Sequence, residues 1–242
     1  MDDALTQARI DLAAALRLAA RFDLNEGICN HFSYAPPQRP GTFLVNPFGI
    51  HWSQLTASDL LLVGNDGSVL EGEGELETTA FCIHSRIHME NPRAACVLHT
   101  HMAYATALTS LEDTPLEPIS QNALRYYNDV AYDGSYNGLA TAVDEGERMA
   151  RALGDKRVLF LANHGVVVIG PNIARAFEDL YYLERACKVQ VLAQSTGRPL
   201  RRVSDNIAGA TFKSPEKQQH YADAHFAALK RLLDAEDRSY VN

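Results

Sequence analysis

The chain has 242 residues, 46% of them hydrophobic and 21% charged, with 22 basic against 30 acidic side chains for a net charge of −8. That length and composition exclude a disordered or fibrous protein and predict one large globular domain. The acidic balance, with no window dense in Lys and Arg, argues against a nucleic-acid partner, and no apolar run approaches the roughly 20 residues that cross a bilayer.

Met1-Asp2-Asp3 lacks the basic start and small-residue cleavage site of a secretory signal, which predicts a cytoplasmic protein with no membrane partner. Apolar residues at helical spacing (Ile10, Leu12, Ala13, Leu16, Ala20) predict an amphipathic helix over residues 5–22, ended by Asn25 and Gly27. Residues 32–34 and 42–45 read as strands around a turn rich in Pro36, Pro37, Pro40 and Gly41. Residues 60–63 and 68–70 flank Gly64-Asn65-Asp66-Gly67, whose Asn and Gly supply the positive φ angles of a tight hairpin. The acidic stretch Glu71-Gly72-Glu73-Gly74-Glu75 would repel a nucleotide and reads as a solvated turn.

A helix over 79–90 stops before Pro92, and the apolar run 94–98 reads as a buried strand with His99 and His101 at its end. A helix over 102–110 follows, then a long polar connection over 111–138 with a short strand near Val130. Residues 141–153 are helical, and strands 157–161 and 166–169 surround Asn163-His164-Gly165. A long helix starts at Pro171-Asn172, carries Ile173, Phe177, Leu180, Cys187 and Val191 on its apolar face, and ends at Gly197 and Pro199. The last helix opens at Ser214-Pro215 and buries Tyr221, Leu229, Leu232 and Leu233. The hairpins predict an α/β fold with a mixed, largely antiparallel sheet and helices on its faces. Cys29, Cys82, Cys96 and Cys187 contain no C-x-x-C pair and read as reduced thiols buried as small hydrophobes.

His99 and His101, with only Thr100 between them, point to one side of an extended segment and form half of a metal site. His164, at another strand end, is the third candidate, and three histidines with one open position describe a catalytic rather than a structural site. His84 and His88, four apart, could form a second pair, but read better as a partly buried, hydrogen-bonded His84 and a solvent-facing His88. His31, His51, His220 and His225 read as surface or packing residues, with His31 able to line the site.

Leu24-Asn25-Glu26-Gly27, Asn30-His31, Asn46-Pro47-Phe48-Gly49, Val97-Leu98-His99-Thr100-His101 and Leu161-Ala162-Asn163-His164-Gly165 resemble the landmarks of the class II aldolase/adducin head family, in its bacterial adducin-like branch. The resemblance covers about residues 5–195 of a single 1–242 domain, leaving a C-terminal helical extension over 200–242. It implies a three-layer α/β/α sandwich, a homotetramer, and one divalent ion per chain on His99, His101 and His164, zinc first, with manganese or iron as alternatives. The family's sugar-phosphate aldolases carry an acid nineteen residues before the H-x-H; here that position is Ala80. Their phosphate-binding Gly-Asn is Asn30-His31, a Thr is Phe48, and the hydroxyls remain as Thr78 and Thr79. Asn30, Phe48, Gly49, Thr78 and Thr79 are thus the expected substrate-binding residues.

Glu73, Glu75, Glu77, Tyr126, Tyr127 and His31 are candidates for the proton work, with His31, Glu77 and Tyr126 taken as catalytic together with Arg125, which could hold a substrate carboxylate in bidentate fashion. These readings predict a metal-dependent carbon–carbon lyase. Decarboxylation of a small non-phosphorylated hydroxy, oxo or aromatic carboxylic acid, through a metal-stabilised enolate, is favoured because it requires no base for a hydroxyl proton. Aldol cleavage, a non-catalytic adducin-like assembly module and an iron-dependent oxygenase are the alternatives.

Overall fold

The computed structural model describes residues 3–113 and 115–242. The expectations that touch Met1, Asp2 and Thr114 lie outside the described residues. The chain opens with α1 (Asp3–Arg21), then β1 (His31–Tyr34) and β2 (Thr42–Val45), and the hairpin β3 (Leu61–Gly64) and β4 (Val69–Glu71). α2 (Thr78–Glu90) leads into β5 (Cys96–Thr100) and the short α3 (Ala103–Thr109). β6 (Val130–Asp133), α4 (Val143–Leu153), β7 (Val158–Leu161) and β8 (Gly165–Gly170) complete the sheet, and α5 (Ile173–Gln194), α6 (Asp205–Thr211) and α7 (Pro215–Glu236) follow.

The eight strands lie in the order β4-β3-β2-β1-β5-β8-β7-β6. Every pairing is antiparallel except β6 with β7, so the sheet is mixed and largely antiparallel. Strand periodicity divides the core into layers. Leu98 of β5 and Val166 and Val168 of β8 face one side, where they pack with Leu12 and Leu16 of α1 and Phe177 and Leu180 of α5. Val97 of β5 and Val167 and Ile169 of β8 face the other, against Ile83 and Ile87 of α2 and Met149 and Leu153 of α4. These positions are 5% exposed or less, and each fully buried Leu, Ile or Val contributes about 1.5–3 kcal/mol of apolar transfer. The result is the three-layer α/β/α sandwich. No helix among the described residues is long and apolar enough to cross a membrane.

Several expectations shift. β5 begins later than predicted and runs through Thr100, so His99 lies inside the strand and only His101 stands beyond it. The α6 helix was not foreseen. On α7, Leu229 and Leu233 are buried as expected, whereas Tyr221 and Leu232 are 62% and 45% exposed, because the helix turns a narrower apolar face to α1 and α5 than its composition suggests. Cys82, Cys96 and Cys187 are buried, but Cys29 is exposed.

Candidate functional site

The β1–β5–β8 pairing assembles the site. His31 lies directly opposite His99 in the antiparallel register of β1 and β5, and Thr100 lies opposite Val166 in that of β5 and β8. The β7–β8 turn carries His164 back over the end of β5. Two local features make that turn possible. Asn163 sits in the left-handed region at φ 55°, which Asn tolerates. Gly165 runs so close to β5 that a Cβ there would lie 2.5 Å from the Thr100 carbonyl oxygen.

The rings of His99, His101 and His164 therefore converge, with centroids 4.8–5.0 Å apart. One ligand atom from each lies within 4.8 Å of the other two. His99 Nδ1 is 3.0 Å from the Val166 carbonyl, which can only accept, so Nδ1 carries the hydrogen and Nε2 keeps its lone pair. His101 Nδ1 lies 2.5 Å from the Glu26 carboxylate, and its Nε2 is buried without a protein partner. A histidine tied to a carboxylate at one nitrogen and bare at the other is the arrangement by which proteins orient a metal ligand. Burial, then the neighbouring His164, His101, His31 and His84, hold the His99 imidazole well below the ordinary histidine range. Burial and the nearby His101 and His31 lower His164 to about 4. Two rings held neutral, beside a third whose Nε2 is buried and bare, fit a divalent ion.

The histidines sit in a cavity of about 670 Å³. Its polar wall includes Glu26, Asn30, His31, Glu77 and Thr79, its apolar wall Ile28, Phe48, Ile83, Leu139 and Ala140, and Tyr136 also lines it; among the described residues no Lys or Arg does. Glu77 caps the N-terminus of α2. Burial pushes its carboxyl up, but hydrogen bonds from His31, Thr79 and the Ala80 N–H outweigh that and hold it at about 2. His31 Nε2 is 3.1 Å from the Glu77 carboxylate, and its ring stacks on His99 at 6.2 Å. Ala80 is fully buried in a small apolar cluster with Phe43 and Val63. The carboxylate at the head of this helix comes instead from Glu77, three residues earlier.

Of the predicted site residues, the structure brings together His99, His101, His164, His31, Glu77, Asn30, Phe48 and Thr79 around this cavity. Gly49 and Thr78 flank lining residues without lining it themselves. Arg125 and Tyr126 are corrections. They precede β6, which runs parallel to β7, so they lie at the opposite end of the sheet from the histidines. Arg125 pairs with Glu178 and stacks over Tyr182, while the buried Tyr126 hydroxyl donates to the Asp179 carbonyl. Burial and Asp179 keep that phenol well above its ordinary pKa, so it exchanges no proton near neutrality. Tyr127, Glu73 and Glu75 do not line the cavity either. Sequence reasoning missed Glu26, Cys29 and Tyr136 as lining residues, although Glu26 stands in the first of the quoted landmarks.

A three-layer sandwich with a histidine triad at the end of its central strands defines the class II aldolase type of protein. The chain belongs to that family: residues 10–191 match the Class II Aldolase and Adducin N-terminal domain. An aldolase II superfamily protein from Pseudomonas syringae superposes with a TM-score of 0.91 at 32% identity, covering 100% of this chain and 98% of that one. L-fuculose 1-phosphate aldolase from Glaciozyma antarctica PI12 superposes with a TM-score of 0.86 at 29% identity, covering 96% and 91%. The decarboxylase NovR of Streptomyces niveus is 32% identical over 228 residues, 92% of this chain and 84% of that protein.

Proposed function

We propose that this protein is a divalent-metal-dependent carbon–carbon lyase that decarboxylates a small, non-phosphorylated hydroxy, oxo or aromatic carboxylic acid. One observation carries the reading: the cavity pairs three histidines, His99 and His164 of them held neutral, and two carboxylates with an apolar wall, and among the described residues no Lys or Arg lines it to balance a phosphate dianion. A divalent ion on His99, His101 and His164, zinc in this reading with manganese or iron as alternatives, would supply Lewis-acid stabilisation of negative charge on a substrate oxygen.

The chain's own residues supply the rest. Glu77, held at about 2, is ionised at neutral pH and too weak a base to take a hydroxyl proton efficiently; its work is to fix His31 beside His99. His31 then holds the proton that the product carbon needs. Asn30 and Thr79 offer polar contacts to substrate oxygens. Phe48, Ile83, Leu139 and Ala140 form a surface against which a carboxylate loses hydration and neutral CO₂ does not. The similarity to NovR supports this reading.

Aldol cleavage is the second reading, favoured by one feature, the Glu77 carboxylate at the Ala80 N–H near the head of α2. The histidine triad and the Glu26–His101 pair argue against a purely structural, adducin-like module. The exposed Phe48, Tyr136 and Leu139 at the cavity mouth suit a closed homo-oligomer, a tetramer in this reading, which light scattering tests. The function is tested by loading the protein with zinc, manganese or iron and measuring CO₂ release and aldehyde formation from one panel of acids and sugar phosphates. CO₂ from a non-phosphorylated acid is expected. Efficient cleavage of fuculose or ribulose phosphates with no CO₂ from any acid would overturn the proposal in favour of the aldolase.

A further inference from the structure

His31 and Ser33, two apart on β1, share the sheet face that α2 covers, and α2 turns His84 and His88 toward it. Ser33 Oγ lies 2.6 Å from His84 Nδ1 and 2.7 Å from His88 Nε2, and His88 Nδ1 lies 2.6 Å from the Ala94 carbonyl. These partners correct the solvent-facing reading of His88, whose ring is covered by Phe43. The hydrogen positions follow by counting. The Ala94 carbonyl only accepts, so His88 carries its hydrogen on Nδ1 and presents a lone pair at Nε2. Ser33 must donate to that lone pair, and so accepts from His84 Nδ1–H. In the neutral network His84 Nε2 is therefore bare, and it is buried with no partner. Beside it, edge to face at 5.7 Å, stands His31, whose Nδ1 is also buried and unpartnered. Both nitrogens are buried acceptors with no donor, so the network has an unfilled place for a proton at His84 Nε2.

We propose that His84, Ser33 and His88 form a proton relay behind the cavity, in which a proton taken up at His84 Nε2 is exchanged through the Ser33 hydroxyl for one delivered to His88 Nε2. A hydrated proton gives up its hydrogen to His84 Nε2 and leaves as water, so that an N–H bond forms there while the His84 Nδ1–H bond breaks toward the Ser33 oxygen. The original Ser33 O–H bond breaks as an N–H bond forms at His88. Ser33 ends as a neutral hydroxyl, His84 as a neutral ring in its other tautomer, and His88 carries the positive charge, still donating to Ala94. The reverse sequence returns the proton to the His31 side. The use of the relay rests on the lyase reading, in which a carbanion must be protonated once CO₂ has left.

Burial, then the neighbouring His31 and His88, keep His84 well below the ordinary histidine range, and burial lowers His88 to about 4 against the opposing Ala94 hydrogen bond. Both rings are neutral at rest, and a proton parked on either is readily given back. The other titratable groups bearing on the pair are His31 on β1, Glu77 at the head of α2 and His99 on β5; Arg86 lies on the side of α2 that meets α4 at Gly146.

The relay is tested without turnover, so its failure and that of the lyase reading are separable. Multiple-bond ¹H–¹⁵N spectra of the zinc-loaded, ¹⁵N-labelled protein at pH 7.5 should show His84 and His88 both protonated at Nδ1, the minor tautomer in water. In Ser33→Ala, His84 should change to the Nε2–H tautomer while His88 keeps Nδ1–H. On acidification of the parent, the His84 tautomer change should follow the protonation of His88, whose midpoint lies near 4, and in Ser33→Ala His88 should titrate with no accompanying tautomer change at His84. His84 found as Nε2–H in the parent at pH 7.5, or a His84 tautomer indifferent to Ser33→Ala, would overturn the relay. The parent spectrum decides alone if the variant does not fold.

Discussion

Gly165 is the position where a single methyl should dismantle the histidine cluster. A Cβ there would meet the Thr100 carbonyl oxygen at 2.5 Å and His101 Cδ2 at 2.8 Å. Carbon–oxygen contacts settle at about 3.3 Å or beyond, so the start of β8 must retreat from the end of β5 by roughly 0.8 Å. The Thr100 carbonyl is backbone within an antiparallel ladder and cannot rotate away, and the His101 ring could yield only by leaving its place in the cluster. Metal–ligand distances tolerate about 0.2 Å. Gly165→Ala should therefore cost about 1–3 kcal/mol of stability, as overpacking does, and weaken zinc binding more than tenfold, because His164 moves with the turn and the His101 ring is pushed aside while His99 stays with β5. Urea denaturation reads the first effect and titration calorimetry with zinc the second. Gly209→Ala, in α6, is the control: its Cβ meets Tyr127 at an ordinary 3.7 Å, so the variant should match or exceed the parent's stability. Zinc affinity and urea midpoint both unchanged in Gly165→Ala would refute the argument that this close approach sets the ligand geometry.

Glu26→Gln should lower zinc affinity about 10- to 100-fold by removing the carboxylate that orients His101, while the melting temperature of the metal-free protein stays within error, since Glu26 is largely exposed. The Glu77 carboxyl is held at about 2, below its unfolded value, so its contribution is complete above about pH 4.5 and is lost as pH falls toward 2; Glu77→Gln should remove up to about 3 kcal/mol at pH 7 and flatten that part of the stability–pH curve. His88 titrates near 4 when folded and near 6.5 when unfolded, so the unfolded chain binds the proton first and stability falls as pH drops from 6.5 to 4, by about 2 kcal/mol at pH 5; unfolding curves of His88→Gln should lack this slope.

The sequence made visible what depends on short spacings. His99-Thr100-His101 is an i, i+2 pair whatever the surroundings, and Gly64-Asn65-Asp66-Gly67 turns the β3–β4 hairpin as read, although only Gly67, at φ 87°, takes the positive φ that was expected of Asn65 as well. Arg125 and Tyr126 were misplaced because the direction of β6 depends on its parallel pairing with β7, a long-range fact invisible in the connection itself. Ser33 could not be joined to His84 and His88 from spacing, since 51 and 55 residues separate them and only the docking of α2 on β1 closes the gap. Ala80 was read as the loss of an acid, yet a helix-capping carboxylate from Glu77 enters the same neighbourhood by a route that fixed-distance comparison does not detect.

The order of strands in the sheet also governs how the protein comes into being on a ribosome. β5 carries two of the three histidines and ends at Thr100, but its partner β8 is complete only at Gly170. At roughly 5–20 residues per second, about 4–14 s of synthesis separate the two. Throughout that interval β5 can pair with β1 alone, and its other edge presents unmatched amide and carbonyl groups from the apolar stretch Cys96-Val97-Leu98. A nascent chain arrested between these points would display a two-histidine ligand pair on a sticky strand edge, which makes this stage the one at which a chaperone has most to shield and tight metal capture cannot yet begin.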